Sequence, residues 1–163
     1  MQVLLIRHAR AEERRLLRRD ASRALTEDGR RRFRRAARGL RAELPELERI
    51  ITSPLVRARE TAELLASAYK QIKVEHQPLL APGKPPAKLV AWLAAQPREA
   101  CIALIGHEPD LGRLAGLLLT GKARSFMHVK KGAALLIEFP NAVRTGRGVL
   151  RWQLAASQLA ALA

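Results

Sequence analysis

The stretch "QVLLIRHARA", residues 2–11, begins as a continuous apolar run and stops abruptly at Arg7 and His8. An unbroken run from Val3 to Ile6 is typical of a strand that is covered on both faces of a sheet. The arginine and the histidine that follow stand where such a strand ends. This placement raises the question of why two basic, polar side chains directly follow a buried strand.

Strands and helices alternate along the rest of the chain. The apolar pattern predicts further strands at residues 49–53, 73–77 (an edge strand), 100–106, 132–139 and 149–155. It predicts helices at residues 26–44, 57–69, 88–96 and 108–121, and a short helix from residue 155. Residues 12–24 are polar and predict a loop with a short helical turn. The alternation indicates an α/β domain with a largely parallel sheet, and a length of 163 residues suits one domain over 1–163.

Helix boundaries and the single cysteine add local expectations. Thr26 is a candidate N-cap, and Pro45 ends the helix that follows it. Gly121 closes the helix that begins after His107. Cys101 has no second cysteine to pair with and is expected to be a buried thiol.

Composition limits the location and the partners. No apolar run approaches the roughly 20 residues of a membrane span, and no basic segment precedes the apolar start, so we expect a cytoplasmic protein without membrane contact. The formal net charge is +15, which fits either an anionic partner or a solvated basic helix face. Aromatic residues make up only 4%, which argues against nucleic acid because few rings are present to stack on bases.

Polar side chains follow three of the predicted strands. Arg7 and His8 follow the first strand. Arg57 follows the strand at residues 49–53, and His107 follows the strand at 100–106. Ligands of open α/β sheets bind outside the carboxyl ends of the strands. If these strands are neighbours in the sheet, two arginines and two histidines converge on one pocket.

This set of side chains suits a phosphoryl group. A guanidinium offers a planar fork of donors that matches phosphate oxygens, and two such forks stabilise the charge that develops during transfer. A neutral imidazole can attack phosphorus to form a covalent intermediate, and a second imidazole can donate a hydrogen bond or move a proton. We therefore expect no metal and no cofactor, since the arginines supply the positive charge. Each residue alone could equally be a surface or turn residue.

Four segments, "LLIRHARA", "LTEDG", "ITSPLVRARETAELL" and "LIGHEPDLGRL", together resemble the histidine phosphatase superfamily. Their order and the short chain resemble its SixA-like phosphohistidine phosphatase branch. The resemblance implies a three-layer α/β/α sandwich around a mostly parallel sheet. It also implies that His8 is the catalytic nucleophile, that Arg7 and Arg57 bind the phosphoryl oxygens, and that His107 completes the catalytic pocket.

Two departures from the superfamily pattern bear on the substrate. Ala9 stands where the superfamily usually has glycine, which is a small change. No carboxylate occurs in "LLAPGKPP", residues 79–86, where many members carry the acid that protonates a leaving oxygen. Glu75 and His76 are expected to be strand-surface residues instead. Glu108 adjoins His107, and at a helix start it could equally be a favourable partner of the helix dipole. The missing acid would harm an alkyl phosphate ester more than a phosphohistidine, whose protonated imidazole leaves readily.

Three functions remain open at this point. The leading hypothesis is a metal-independent phosphatase that acts on phosphohistidine in a protein, such as a histidine phosphorelay domain. The second is a phosphatase of the same mechanism acting on a small phosphoester. The third is a non-catalytic module that binds polyanions. Arg10, Lys130 and Lys131 are candidate substrate-binding residues, with a solvated surface as the simpler reading, and the chain is expected to be a monomer.

Overall fold

The computed structural model describes residues 1–13, 20–70 and 72–163. The elements are β1 (Gln2–Arg7), α1 (Glu27–Glu43), β2 (Arg49–Thr52), α2 (Val56–Ala68), β3 (Val74–His76), α3 (Pro86–Ala94), β4 (Cys101–Gly106), α4 (Asp110–Thr120), β5 (Ala134–Glu138), β6 (Val149–Leu154) and α5 (Ala156–Ala161). Each predicted strand and helix is present, with its ends shifted by a few residues at most. The predicted loop at residues 12–24 contains a single 3₁₀ turn at Asp20–Ser22, and its residues 14–19 lie outside the described part.

Six strands form one sheet in the order β3-β2-β4-β1-β5-β6. The pairs β2–β3, β2–β4 and β1–β4 are parallel, whereas β5 runs antiparallel to both β1 and β6. Strand β3 pairs only with β2 and is the predicted edge strand. The mostly parallel sheet expected from the sequence is confirmed.

Helices cover both faces of this sheet, because successive side chains of the buried strands point to opposite sides. Leu4 and Ile6 of β1 pack in one core cluster with residues of α1, α2 and α5. Val3 and Leu5 pack in a second cluster with residues of α3 and α4. The three-layer α/β/α sandwich is confirmed, with β1 and β4 buried in its centre.

The local features predicted from the sequence are found at the expected residues. The Thr26 side chain accepts a hydrogen bond from the Gly29 N–H at 3.0 Å and caps α1. Gly121 ends α4 with a φ of 77°, in the left-handed region that favours glycine. Cys101 is a buried free thiol, as expected. No helix among the described residues is long and apolar enough to cross a membrane.

The strand order positions the site. Strand β4 lies between β1 and β2, and all three are parallel. Their carboxyl ends therefore meet at the centre of one sheet edge. The residues that follow them come from distant parts of the chain, yet they face the same space.

Candidate active site

His8 follows β1 and is only 6% exposed. Its Nδ1 lies 2.7 Å from the carbonyl oxygen of Ala9, which can only accept, so Nδ1 carries the proton. The Arg57 Nε–H donates to His8 Nε2 at 3.2 Å, which confirms that Nε2 holds the lone pair. The imidazole thus presents Nε2 as a nucleophilic nitrogen toward a guanidinium.

Both histidines of the site are held neutral. Burial lowers the pKa of His8 to about 4, with the charges of Arg57, Arg7 and Lys131 acting in the same direction. Burial lowers the pKa of His107 to about 3, and His8 and Arg57 contribute. The two ring centroids are 5.1 Å apart. At neutral pH each ring therefore has one nitrogen with a lone pair that accepts a hydrogen bond and one N–H donor.

Arg57 lies in the first turn of α2 and is 4% exposed. Its NH1 donates to the Asp20 carbonyl at 2.8 Å, and its NH2 donates to Asp20 Oδ2 at 3.0 Å. Burial acts to raise the pKa of the Asp20 carboxyl, but Arg57 and Arg23 outweigh burial and lower that pKa. Asp20 therefore stays ionised and fixes the guanidinium with its Nε–H directed at His8.

His107 follows β4 and is 4% exposed. Its Nε2 lies 2.8 Å from Ser53 Oγ at the end of β2. Ser53 Oγ accepts a long hydrogen bond from the Leu55 N–H at 3.4 Å and has its own proton to donate to His107 Nε2. In this arrangement His107 Nδ1 carries the ring proton. Nδ1 is buried and has no partner among the described residues, so it is a donor available to an oxyanion.

Arg7 ends β1, and its NH1 donates to the Val129 carbonyl at 2.8 Å. Its Nε is buried and has no partner among the residues the structure describes. Glu108 follows His107, and its Oε1 is likewise buried without a partner there. Burial raises the pKa of the Glu108 carboxyl, opposed by the charge of Arg7. The site thus combines an unsatisfied guanidinium donor with a carboxyl group whose pKa burial raises.

The structure brings His8, Arg57 and His107 into one cluster, with Arg7 close enough to influence His8. Glu75 lies apart from this cluster and forms an ion pair with Arg49 at 2.8 Å, as a strand-surface residue does. The expected surface position of His76 is also found, since it is exposed.

Two site residues were missed by sequence reasoning. Ser53 stands directly after β2, in the same place that His8 occupies after β1, so its position was a usable signal. Asp20 reaches Arg57 from a loop remote in sequence. No pattern indicates where that loop runs.

Comparison with known proteins places this geometry in a family. The model of the histidine phosphatase superfamily (branch 1) matches residues 3–81. An uncharacterised protein of Picosynechococcus is 35% identical over 138 residues, 83% of each chain. Phosphohistidine phosphatase SixA of Escherichia coli is 28% identical over 162 residues, which cover 98% of this chain and 96% of that protein. The chain belongs to the histidine phosphatase superfamily.

Within the histidine phosphatase superfamily, the chain is SixA-like. The structure of the protein histidine phosphatase SixA complexed with tungstate matches it with a TM-score of 0.85 and 28% identity, over 98% of this chain and 99% of that one. The resemblance noted in the four sequence segments is confirmed by these matches. Members of this kind are hydrolases, and the protein is a phosphatase.

Within the residues that the structure describes, this histidine phosphatase site contains no evident metal-binding cluster. Among residues 1–13, 20–70 and 72–163, no group of three or more histidine, cysteine, aspartate or glutamate side chains could hold a metal ion. The cations at the site are the guanidinium groups of Arg7 and Arg57.

Proposed function

We propose that the protein removes the phosphoryl group from phosphohistidine in another protein, through a covalent phosphohistidine formed on His8. One observation carries the proposal: the Ala9 carbonyl fixes the His8 tautomer, so that a neutral Nε2 faces Arg57 in a buried cluster. The pKa of about 4 keeps this nitrogen unprotonated at neutral pH. A neutral, oriented imidazole is what attack on phosphorus requires.

In the first step, His8 Nε2 forms a bond to phosphorus as the bond from phosphorus to the substrate imidazole breaks. The substrate imidazole already carries a proton from solvent on its other ring nitrogen, so it leaves as neutral imidazole, which leaves more readily than its anion. In the proposed step the Arg57 Nε–H, the free Arg7 Nε–H and the His107 Nδ1–H donate to the phosphoryl oxygens. Charge on these oxygens is the main feature that such a site must stabilise.

In the second step, water attacks the phosphorus on His8. The bond to Nε2 breaks, inorganic phosphate leaves, and the neutral imidazole is restored. The hydrogen bond from His8 Nδ1 to Ala9 persists throughout and stabilises the charge that the ring acquires while it is phosphorylated. No metal or cofactor is part of the proposed cycle.

The leaving group and the relatives support the proposed substrate class. No carboxylate lies in residues 79–86 to protonate an alkoxide, and a phosphohistidine needs such a donor least. The relative from Escherichia coli is named a phosphohistidine phosphatase, and the similar solved structure holds tungstate, an oxyanion with the tetrahedral shape of phosphate. Both support a phosphohistidine substrate here.

A direct test incubates the protein with a histidine-phosphorylated phosphorelay domain and follows loss of the label. We expect His8→Ala to reduce the rate by at least about 1,000-fold, since the nucleophile is gone. Acid-labile phosphate on His8 should be trapped in the unaltered protein after rapid quenching. Equal loss of label with both proteins would reject the proposal, and it would favour the third reading, a polyanion-binding module.

A second candidate is hydrolysis of a small phosphate ester. The observation in its favour is Glu108, whose raised pKa and unpartnered buried oxygen beside His107 suit a proton donor. Small esters and phosphohistidine are compared with the unaltered protein and with Glu108→Gln. Faster turnover of an ester, lost in Glu108→Gln, would favour this candidate. Faster turnover of phosphohistidine, with little change in that variant, supports the first.

A further inference from the structure

A large groove of about 860 Å³ lies beside the site, between the start of α1, helix α5 and the segment that precedes β5. Its floor is formed by small residues, among them Ala9, Gly132 and the alanines of α5. Six basic side chains also line it: Arg10, Arg31, Arg32, Arg35, Lys130 and Lys131. These six are called the groove cations below.

The groove cations carry an excess of positive charge. Among the described residues, Asp28 is the carboxylate that forms ion pairs with the groove cations. It pairs with Arg10, Arg31 and Arg32, at N–O distances from 2.6 to 3.7 Å. Arg35, Lys130 and Lys131 form no ion pair with any described residue. No acidic residue lines the groove in the part of the chain described. Such a concentration of one sign of charge attracts and orients an acidic partner.

The groove adjoins the segment that carries the nucleophile. Ala9, on its floor, is the neighbour of His8 and fixes its tautomer. The Gly132 N–H lies 3.2 Å from the His8 carbonyl oxygen and joins the basic segment to the end of β1. The charge of Lys131 also reaches the imidazole, since it contributes to the lowered pKa of His8. A molecule that fills the groove therefore lies next to the segment that carries His8.

The floor of the groove discriminates between acidic partners. Alanine and glycine surfaces offer apolar contact, which the acidic face of a folded protein can use through its own apolar side chains. A polyphosphate chain has no apolar surface to place there. Among the residues that the structure describes, Phe33 is the one aromatic residue in the lining, and at 2% exposed its ring is not available to stack on bases.

We propose that this groove docks the acidic surface of the phosphorylated protein and thereby presents its phosphohistidine to His8. The inference rests on the proposed function. It adds the surface by which the enzyme selects a phosphorylated protein over free phosphohistidine. The groove cations bring the partner to the site, and the small residues of α5 allow its backbone to approach closely.

The test measures kcat/KM for two substrates, a histidine-phosphorylated domain of net negative charge and free phosphohistidine. The groove variant combines Arg35→Glu with Lys130→Glu. The control combines Arg38→Glu with Lys88→Glu, which changes the net charge equally at two exposed residues outside the groove. We expect the groove variant to lower kcat/KM for the domain by about tenfold or more, mainly through KM, and the control to change it by less than about twofold.

Free phosphohistidine should be hydrolysed equally by all three proteins, which also shows that the variants are folded. A second variant, Ser157→Trp, obstructs the groove without changing its charge and should also affect only the domain. Equal losses in groove variant and control would overturn the docking proposal. So would a groove variant that loses affinity for inorganic polyphosphate and retains full activity on the domain.

Failure of the proposed function gives a different result. In that case the unaltered protein hydrolyses neither phosphohistidine substrate. Titration of the phosphorylated domain onto the unaltered protein, the groove variant and the control then still tests docking. Weaker binding by the groove variant alone supports it, and equal binding by all three contradicts it.

Discussion

The imidazole of His8 illustrates how much one residue's chemistry depends on its neighbours. The pair Arg7-His8 is visible in the sequence because the two residues directly follow a buried strand. The choice of Nε2 as the reacting nitrogen is not visible, since it requires the Ala9 carbonyl on Nδ1 and the Arg57 Nε–H on the other side. Adjacency along the chain predicts a site, whereas hydrogen bonds in three dimensions determine the tautomer.

The lowered pKa of His8 predicts how stability depends on pH. The pKa is about 4 in the folded protein and about 6.5 when unfolded, so between these values the unfolded chain binds more protons. Stability is therefore complete above about pH 6.5 and is lost as the pH falls toward 4, by up to about 3 kcal/mol for this residue. Urea unfolding of the unaltered protein and of His8→Asn at several pH values measures the effect. We expect a shallower decline in His8→Asn.

The matched control is His76→Asn, because His76 is exposed at the edge of the sheet. As the pH falls, the stability of His76→Asn should decline in parallel with that of the unaltered protein. If His8→Asn also gives a parallel curve, then His8 is not held neutral by burial. His107, with a pKa of about 3, acts in the same direction and leaves part of the decline in every variant.

At the scale of elements, α1 and α5 show how closely two helices can approach. A Cβ built on Gly39 of α1 would overlap the carbonyl oxygen of Leu159 in α5. Because Gly39 has no side chain, the backbones of α1 and α5 can come into direct contact. The sequence predicted both helices, but their contact depends on a single missing side chain.

Gly39→Ala should destabilise the protein by about 1–3 kcal/mol. Alanine normally stabilises a helix interior by about 1 kcal/mol relative to glycine, but overlap with backbone atoms that cannot move freely outweighs this gain. The change in the free energy of urea unfolding measures the result. Arg38→Ala, at an exposed neighbouring residue, is the control and should stay within about 0.5 kcal/mol of the unaltered protein. A stabilised Gly39→Ala would show that α5 does not pack there.

At the scale of the whole molecule, the net charge of +15 opposes folding through self-repulsion. Helix α1 concentrates this effect, since Arg30 and Arg34, and likewise Arg31 and Arg35, are one turn apart on its surface. The ion pairs with Asp28, Glu27 and Glu60 relieve it only in part.

Salt should therefore stabilise the protein. Sodium chloride raised from 10 to 200 mM shortens the screening length from about 30 Å to less than about 10 Å, and we expect the free energy of unfolding to rise by about 1 kcal/mol. Urea titrations at both salt concentrations measure the change. Arg38→Glu, which lowers the charge of α1, should reduce the response. Unfolding that is independent of salt, or easier at high salt, would contradict this account.

The local pattern of apolar residues was enough to predict the strands, the helices and their layers, because burial on one or both faces imposes a distinct spacing on each element. It also marked Arg7, His8, Arg57 and His107, since each follows a strand. Only the tertiary structure decided that β4 lies between β1 and β2, that Asp20 orients Arg57, and that a basic groove adjoins the segment that carries His8. These features depend on contacts between residues far apart in the chain, and such contacts produce no periodic pattern of residues in the sequence.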